Sequence, residues 1–201
     1  MIAPMTYQLL LALLGFAFVT SVTPGPNNMM LMASGANFGF RRTIPHMLGI
    51  STGFGLMVFL VGLGLAGLIK SVPEVLTIMK VVSIVYLVWL AWKIGNSAGP
   101  KGGNAGAKPL TFLQAAAFQW VNPKAWTMAL GGISAYAPDS ALLSFTIIAV
   151  VFALVNLPSV SLWAFAGQNI QRFLSSASRL RAFNWTMAGL LILSLIPVLL
   201  E

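Results

Sequence analysis

Cysteine is absent from this 201-residue chain, and histidine occurs once, at His46. The first absence excludes disulfides, thiolate metal sites and dithiol redox chemistry. The second excludes a histidine-rich metal cluster, so neither a metal site nor a cofactor is expected. Acidic residues number three, Glu74, Asp139 and Glu201, and all charged residues together make up 7% of the chain. Soluble domains carry about 25%. So few charges do not cover a globular surface in water. No carboxylate lies deep in an apolar block, which removes the paired acids of general acid–base catalysis. Gly-x-Ser-x-Gly, His–Glu metal motifs and phosphate loops are missing too, so an enzyme is not expected.

What is abundant is apolar. Such residues make up 58% of the chain, mean hydropathy is +0.90, and they run in long blocks as lipid-facing helices do. The class is therefore an all-α membrane protein. The net charge of +8 does not signal nucleic acid, because the basic residues sit singly or in small groups between the blocks. Met5 to Thr23 lacks the basic flank and small-residue cleavage pattern of a signal peptide and is expected to be a retained first helix.

Six blocks are long enough to cross a hydrocarbon core of about 30 Å. They are Met5–Thr23, Met47–Ile69, Val75–Trp92, Leu110–Ala137, Ala141–Phe165 and Phe183–Leu200. Asn27–Phe40, apolar and Met-rich, is expected to be a half-helix continuing the first block. A Gly-, Ala- and Lys-rich linker over 94–109 separates a first three-helix unit, 1–93, from a second, 110–201. Arg41, Arg42, Lys93, Lys101, Lys108, Arg172, Arg179 and Arg181 fall in loops on one side. The positive-inside rule makes that side cytoplasmic and places both termini outside. Two halves of three crossings insert with opposite topology, so repeats here would be inverted, as in many secondary transporters.

Each half carries a helix break. Pro24-Gly25-Pro26 interrupts the first, and Gly35 follows Pro26 by nine residues; Asn122-Pro123 interrupts the second, and Gly132 follows Pro123 by nine. In lipid, freed backbone groups persist only where protein or a water-filled cavity satisfies them. Thr23 to Asn28, with Asn27 and Asn28 after the prolines, is either a loop at a helix end or a discontinuous helix restarting at Pro26. The second break lies mid-block. Asn122 suits an N-cap and Pro123 a first helical position, so a half-helix would point its N-terminus at an anionic group such as a carboxylate. Lys124 adds a full charge too deep to reach the interface easily. It either receives the substrate carboxylate or caps backbone carbonyls of the first break. Asn156, two residues before Pro158, marks a kink with a cavity-facing amide.

Other residues carry less. Lys80 reads as an anchor and His46 as an interfacial residue beside Pro45. The pairs Gly35/Gly39 and Gly49/Gly53 favour close helix packing within or between subunits, which leaves room for a homodimer. The ten methionines read as plastic filler, and Trp89, Trp92 and Trp120 as interfacial or packing residues.

Four segments in order resemble the lysine-exporter superfamily, specifically its homoserine/threonine-exporter-like branch. They are Thr23-Pro24-Gly25-Pro26-Asn27; Gly49 and Gly53 followed by Gly62 and Gly64; Tyr86 to Lys93; and Asn122-Pro123-Lys124-Ala125. The resemblance spans nearly the whole chain. It implies efflux of amino acids or close derivatives across the bacterial inner membrane, driven by an ion gradient. Many relatives carry an acidic residue just after the position of Gly53, where this chain has Phe54. In that respect it is similar to members exporting cysteine and O-acetylserine rather than a cationic substrate. The residues do not specify the coupling ion; a proton passing by Lys124, His46 or ordered water is one route and uniport another. A non-transporting membrane subunit or a membrane-embedded enzyme is the rival class.

Overall fold

The computed structural model describes residues 5–97, 108–137, 141–174 and 176–200. Lys101, Asp139, Glu201 and most of the expected linker lie outside the described residues. Everything regular within them is helical. The helices are α1 (Tyr7–Val22), α2 (Pro26–Phe38), α3 (Phe40–Leu60), α4 (Ala66–Lys70) and α5 (Pro73–Gly95), then α6 (Phe112–Phe118), α7 (Pro123–Tyr136), α8 (Leu142–Gln171), α9 (Ala177–Leu193) and α10 (Ile196–Leu200).

Three stretches are long and apolar enough to cross a membrane: Phe40–Ile69, Thr77–Gly95 and Leu142–Gln171. The pair α1 and α2, bent by 56° at the Pro24-Gly25-Pro26 break, qualifies as a fourth. The fourth block, Leu110–Ala137, is broken at Asn122-Pro123: it consists of α6, a 3₁₀ turn over Gln119–Val121, and α7. Pro123 causes this, since it has no N–H to continue the preceding helix. Large apolar side chains cover the outside, among them Leu113 at 74% and Leu154 at 67% exposure, as a lipid-facing wall requires.

The halves interlock. α1 packs on α8, and α6 packs on α3; α3 also packs on α8, and α5 on α9. α2 lies between α8, α3 and α9. Glycine sets how close these helices come. A Cβ on Gly35 would collide with the carbonyl oxygen of Ala164, and one on Gly167 with that of Met32, so α2 and α8 touch backbone to backbone. Gly49 and Gly53 do the same for α3, against Phe112 and Ala116 of α6. Gly39, at φ 81°, turns the chain between α2 and α3 without a loop. The glycine pairs are thus taken up within the chain.

An apolar core joins α1, α3, α7 and α8 beside the breaks, with Phe54 and Phe152 meeting edge to face at 5.3 Å. Met29, Met30, Met47, Met57, Met128 and Met187 are buried packing residues, as expected of methionine filler. At one end, the Phe40 N–H donates to Gln168 Oε1 (2.6 Å), and Asn184 donates to the Ser97 carbonyl (2.7 Å). Those contacts gather the helix ends that carry Arg41, Arg42, Lys93, Arg172, Arg179 and Arg181.

Candidate functional site

The two helix breaks meet. α1 ends with Thr23 as its C-cap, and its last carbonyls have no partner within the helix. Asn28 turns back to cover two of them, donating to the carbonyls of Ser21 (2.9 Å) and Thr23 (2.7 Å). From the other half, Lys124 Nζ donates to the Thr23 carbonyl (2.7 Å), Thr23 Oγ1 (2.9 Å) and the Pro24 carbonyl (3.3 Å). A cation belongs there, because a helix C-terminus carries partial negative charge. Of the two roles open to Lys124, this arrangement is the capping one. Gly25 makes the approach feasible: a Cβ there would stand 2.6 Å from Lys124 Cδ. Pro26 starts α2 and Pro123 starts α7, each in the first helical turn where a missing N–H costs nothing.

Carboxamides line the junction. Asn27 and Gln119 exchange reciprocal hydrogen bonds of 2.9 and 3.2 Å, and Gln119 also donates to the Ala115 carbonyl (2.9 Å). Asn156 accepts from Ser51 Oγ (3.1 Å) and donates to Ser21 Oγ (3.3 Å). α8 continues through Pro158, and Asn156 borders the space between the breaks. Asn122 departs from expectation. It occupies the N-cap position of α7, but its side chain makes no capping hydrogen bond. The Ala125 N–H, which a capping oxygen would take, donates instead to the Asn122 main-chain carbonyl (3.0 Å) in a tightened first turn. Asn122 Oδ1 is left buried and without a partner. Gly25, Asn28, Gln119, Asn122, Lys124 and Asn156 border a space of about 20 Å³. That holds about one water molecule, not an amino acid, so the centre is closed in this conformation.

Pro24, Gly25, Pro26, Asn27, Asn28, Asn122, Pro123, Lys124 and Asn156 therefore converge, with Pro24 contributing its carbonyl from an exposed position. Gln119, Ser21 and Ser51 belong with them, although the sequence pattern does not mark them as site residues. Gln119 carries a signal nonetheless: it lies three residues before Asn122, one helical turn away within an apolar block. His46 is buried at 1% exposure, because α3 begins at Phe40 and carries it inward against α2.

Residues 18–200 match the family described as LysE type translocator. The chain belongs to this family. It is similar to a cysteine/O-acetylserine efflux protein of Escherichia coli O139:H28 (strain E24377A / ETEC), at 32% identity covering 94% of this chain and 96% of that one. Proteins of the same description from Escherichia coli K12 and Shigella flexneri are 31% identical with the same coverage. No solved structure gives a significant match. The translocator is thus a transporter and not an enzyme, a multi-pass helical protein of the inner membrane. In this translocator, Gly25→Leu should block transport while leaving insertion largely intact, since the new side chain meets the flexible Lys124 stem rather than backbone. Normal transport at equal expression would reduce the break to a loop.

Proposed function

We propose that this translocator is a secondary carrier exporting small zwitterionic amino acids or close derivatives across the bacterial inner membrane. The observation that carries it is the meeting of two helix breaks at an amide-lined centre. Among the described residues that centre holds one cation, Lys124, and no carboxylate. The α7 N-terminus and Lys124 suit a substrate carboxylate, and the unpartnered Asn122 Oδ1 suits the N–H of its ammonium group. A net cationic substrate would face Lys124 without an acidic counterpart. The relatives described as cysteine/O-acetylserine efflux proteins fit this substrate class. With only about 20 Å³ free, substrate entry requires the breaks to part, which releases Lys124 from Thr23 and Pro24.

The reading includes six crossings arranged as two inverted repeats, 1–93 and 110–201, joined by the 94–109 linker. Its support is the exchange of partners, α1 on α8 and α6 on α3, together with one break per half. The basic end is assigned to the cytoplasm and both termini to the outside. A cysteine placed at Ser97 or Ser176 should react with an impermeant thiol reagent only from the cytoplasmic face; reaction from outside overturns the orientation. A homodimer draws no support from the glycine pairs, which pack internally.

Proteoliposomes loaded with unlabelled serine or O-acetylserine should show saturable counterflow of the labelled compound. A non-transporting subunit shows none, and that result would sink the carrier reading. Acceleration by an imposed proton gradient in the same vesicles would identify the proton as coupling ion.

A further inference from the structure

A larger cavity, of about 360 Å³, lies at the basic end of the bundle. It shares no lining residue with the closed centre. Both are strung along α2: Asn27 and Asn28 line the centre, while Ser34 and Asn37 line the larger space, about 12 Å further along the helix axis. α3 contributes His46, α5 contributes Lys93, and Lys108 closes the wall before α6. Several hundred Å³ with an apolar lining and a few polar groups is what a small-molecule site requires.

The polar groups in that wall divide in two. Ser34 Oγ is engaged with Thr43 Oγ1 at 2.9 Å. Asn37 is engaged with Asn184 in reciprocal bonds of 2.7 and 3.1 Å. His46 is not engaged: it is 1% exposed, and neither ring nitrogen has a hydrogen-bond partner. Buried polar atoms are seldom left so, and a neutral imidazole has one N–H to give and one lone pair to fill. Lys93 and Lys108 have no carboxylate within ion-pair distance among the described residues; Lys93 Nζ lies 5.1 Å over the Trp89 ring. Two uncompensated cations, an unpartnered buried imidazole and an apolar wall complement a small molecule bearing both a carboxylate and an ammonium group.

We propose that this cavity is a second binding site, a cytoplasmic loading site for zwitterionic amino acids, occupied before substrate reaches the helix breaks. The lysines take the carboxylate, and the His46 lone pair accepts from the ammonium group. The assignment rests on the exporter reading for its direction, though not for its ligand chemistry.

The native lack of cysteine makes the test clean. Ile94, in the cavity wall, is replaced by cysteine in the full chain, which also carries Lys124→Met to disable the centre. Maleimide labelling of purified protein is then timed against serine. The rate should fall as 1/(1 + [L]/Kd), about tenfold at ten times Kd. Ethanolamine and propionate, each with one of the two charges, should protect far less. Adding Lys93→Met with Lys108→Met, or His46→Leu, should abolish protection; the lysine pair serves as readout should His46→Leu fail to fold. Absence of protection by serine overturns the proposal. So does equal protection by propionate, which would mark a plain anion site, or protection that survives the lysine replacements. Wild-type counterflow is scored separately. Counterflow without protection removes only the loading site, whereas protection without counterflow removes the exporter reading and keeps the cavity.

Discussion

Gly35→Val should leave almost no folded protein in the membrane, while Gly189→Ala should accumulate as wild type does. At Gly35 the added Cβ would overlap the Ala164 carbonyl oxygen and stand 3.1 Å from the Gln168 nitrogen, all backbone of α8. Gly167 meets Met32 and Ala36 of α2 in the same way, so neither helix has a side chain to move aside. Overpacking a core costs about 1–3 kcal/mol where side chains yield. Here the helices themselves must separate, and α2 lines both cavities, so the loss should exceed that range. A Cβ on Gly189 would meet nothing within 4 Å. The monodisperse fraction extracted from membranes and its melting temperature are the measurements. A Gly35→Val protein that melts with wild type would mean that α2 and α8 do not touch at this point.

Lys124→Met should weaken substrate binding about thirty-fold or more, the effect of about 2–5 kcal/mol for losing one partner of a desolvated charge pair. Methionine keeps the length of the side chain and removes the charge. Lys124→Arg should retain partial function, since the charge survives with a different donor geometry. Three oxygens of Thr23 and Pro24 also lose the Lys124 donor in Lys124→Met, the Thr23 carbonyl keeping only Asn28, so abundance should fall as well. Binding is therefore measured per folded molecule. An amidated substrate analogue should bind wild type poorly and be little affected by the substitution. Unchanged affinity for the carboxylate substrate would confine Lys124 to holding the two breaks together.

What the sequence made legible was local chemistry set against an apolar background. Pro24, Gly25, Pro26 and Pro123 stand out because they cannot continue a helix, and Lys124 because a charge inside an apolar block needs a reason. Where each partner sits was not legible. The break carbonyls were one of the two partners open to Lys124, but the choice between them, and the reach of Asn27 to Gln119, depend on how the halves dock, which spacing along the chain does not encode. Residue preference misled at Asn122, because capping depends on whether an N–H is free, and Ala125 had already given its own. Hydropathy also hid helix ends. Arg41 and Arg42 end the apolar run, but α3 starts before them and takes His46 into the interior. The π turn at Val61–Leu65, where Gly64 adopts φ 101°, falls in an unbroken apolar stretch and left no trace beyond its glycines.

The pairing of Lys124 with uncharged carbonyls has an electrical consequence. A hydronium or sodium ion within about 5 Å of the ammonium, at an effective dielectric near 20, meets a repulsion of about 3 kcal/mol. That lowers its local concentration roughly two-hundredfold, and among the described residues no carboxylate lines the centre to cancel the field. A centre carrying this charge would disfavour cation entry when it hydrates, as fixed positive charge does in water channels. On the proposed carrier reading, a substrate carboxylate bound at Lys124 would lift that barrier. On the same reading, cations would enter the centre only in the company of cargo, and a membrane crowded with copies of this chain would keep its voltage.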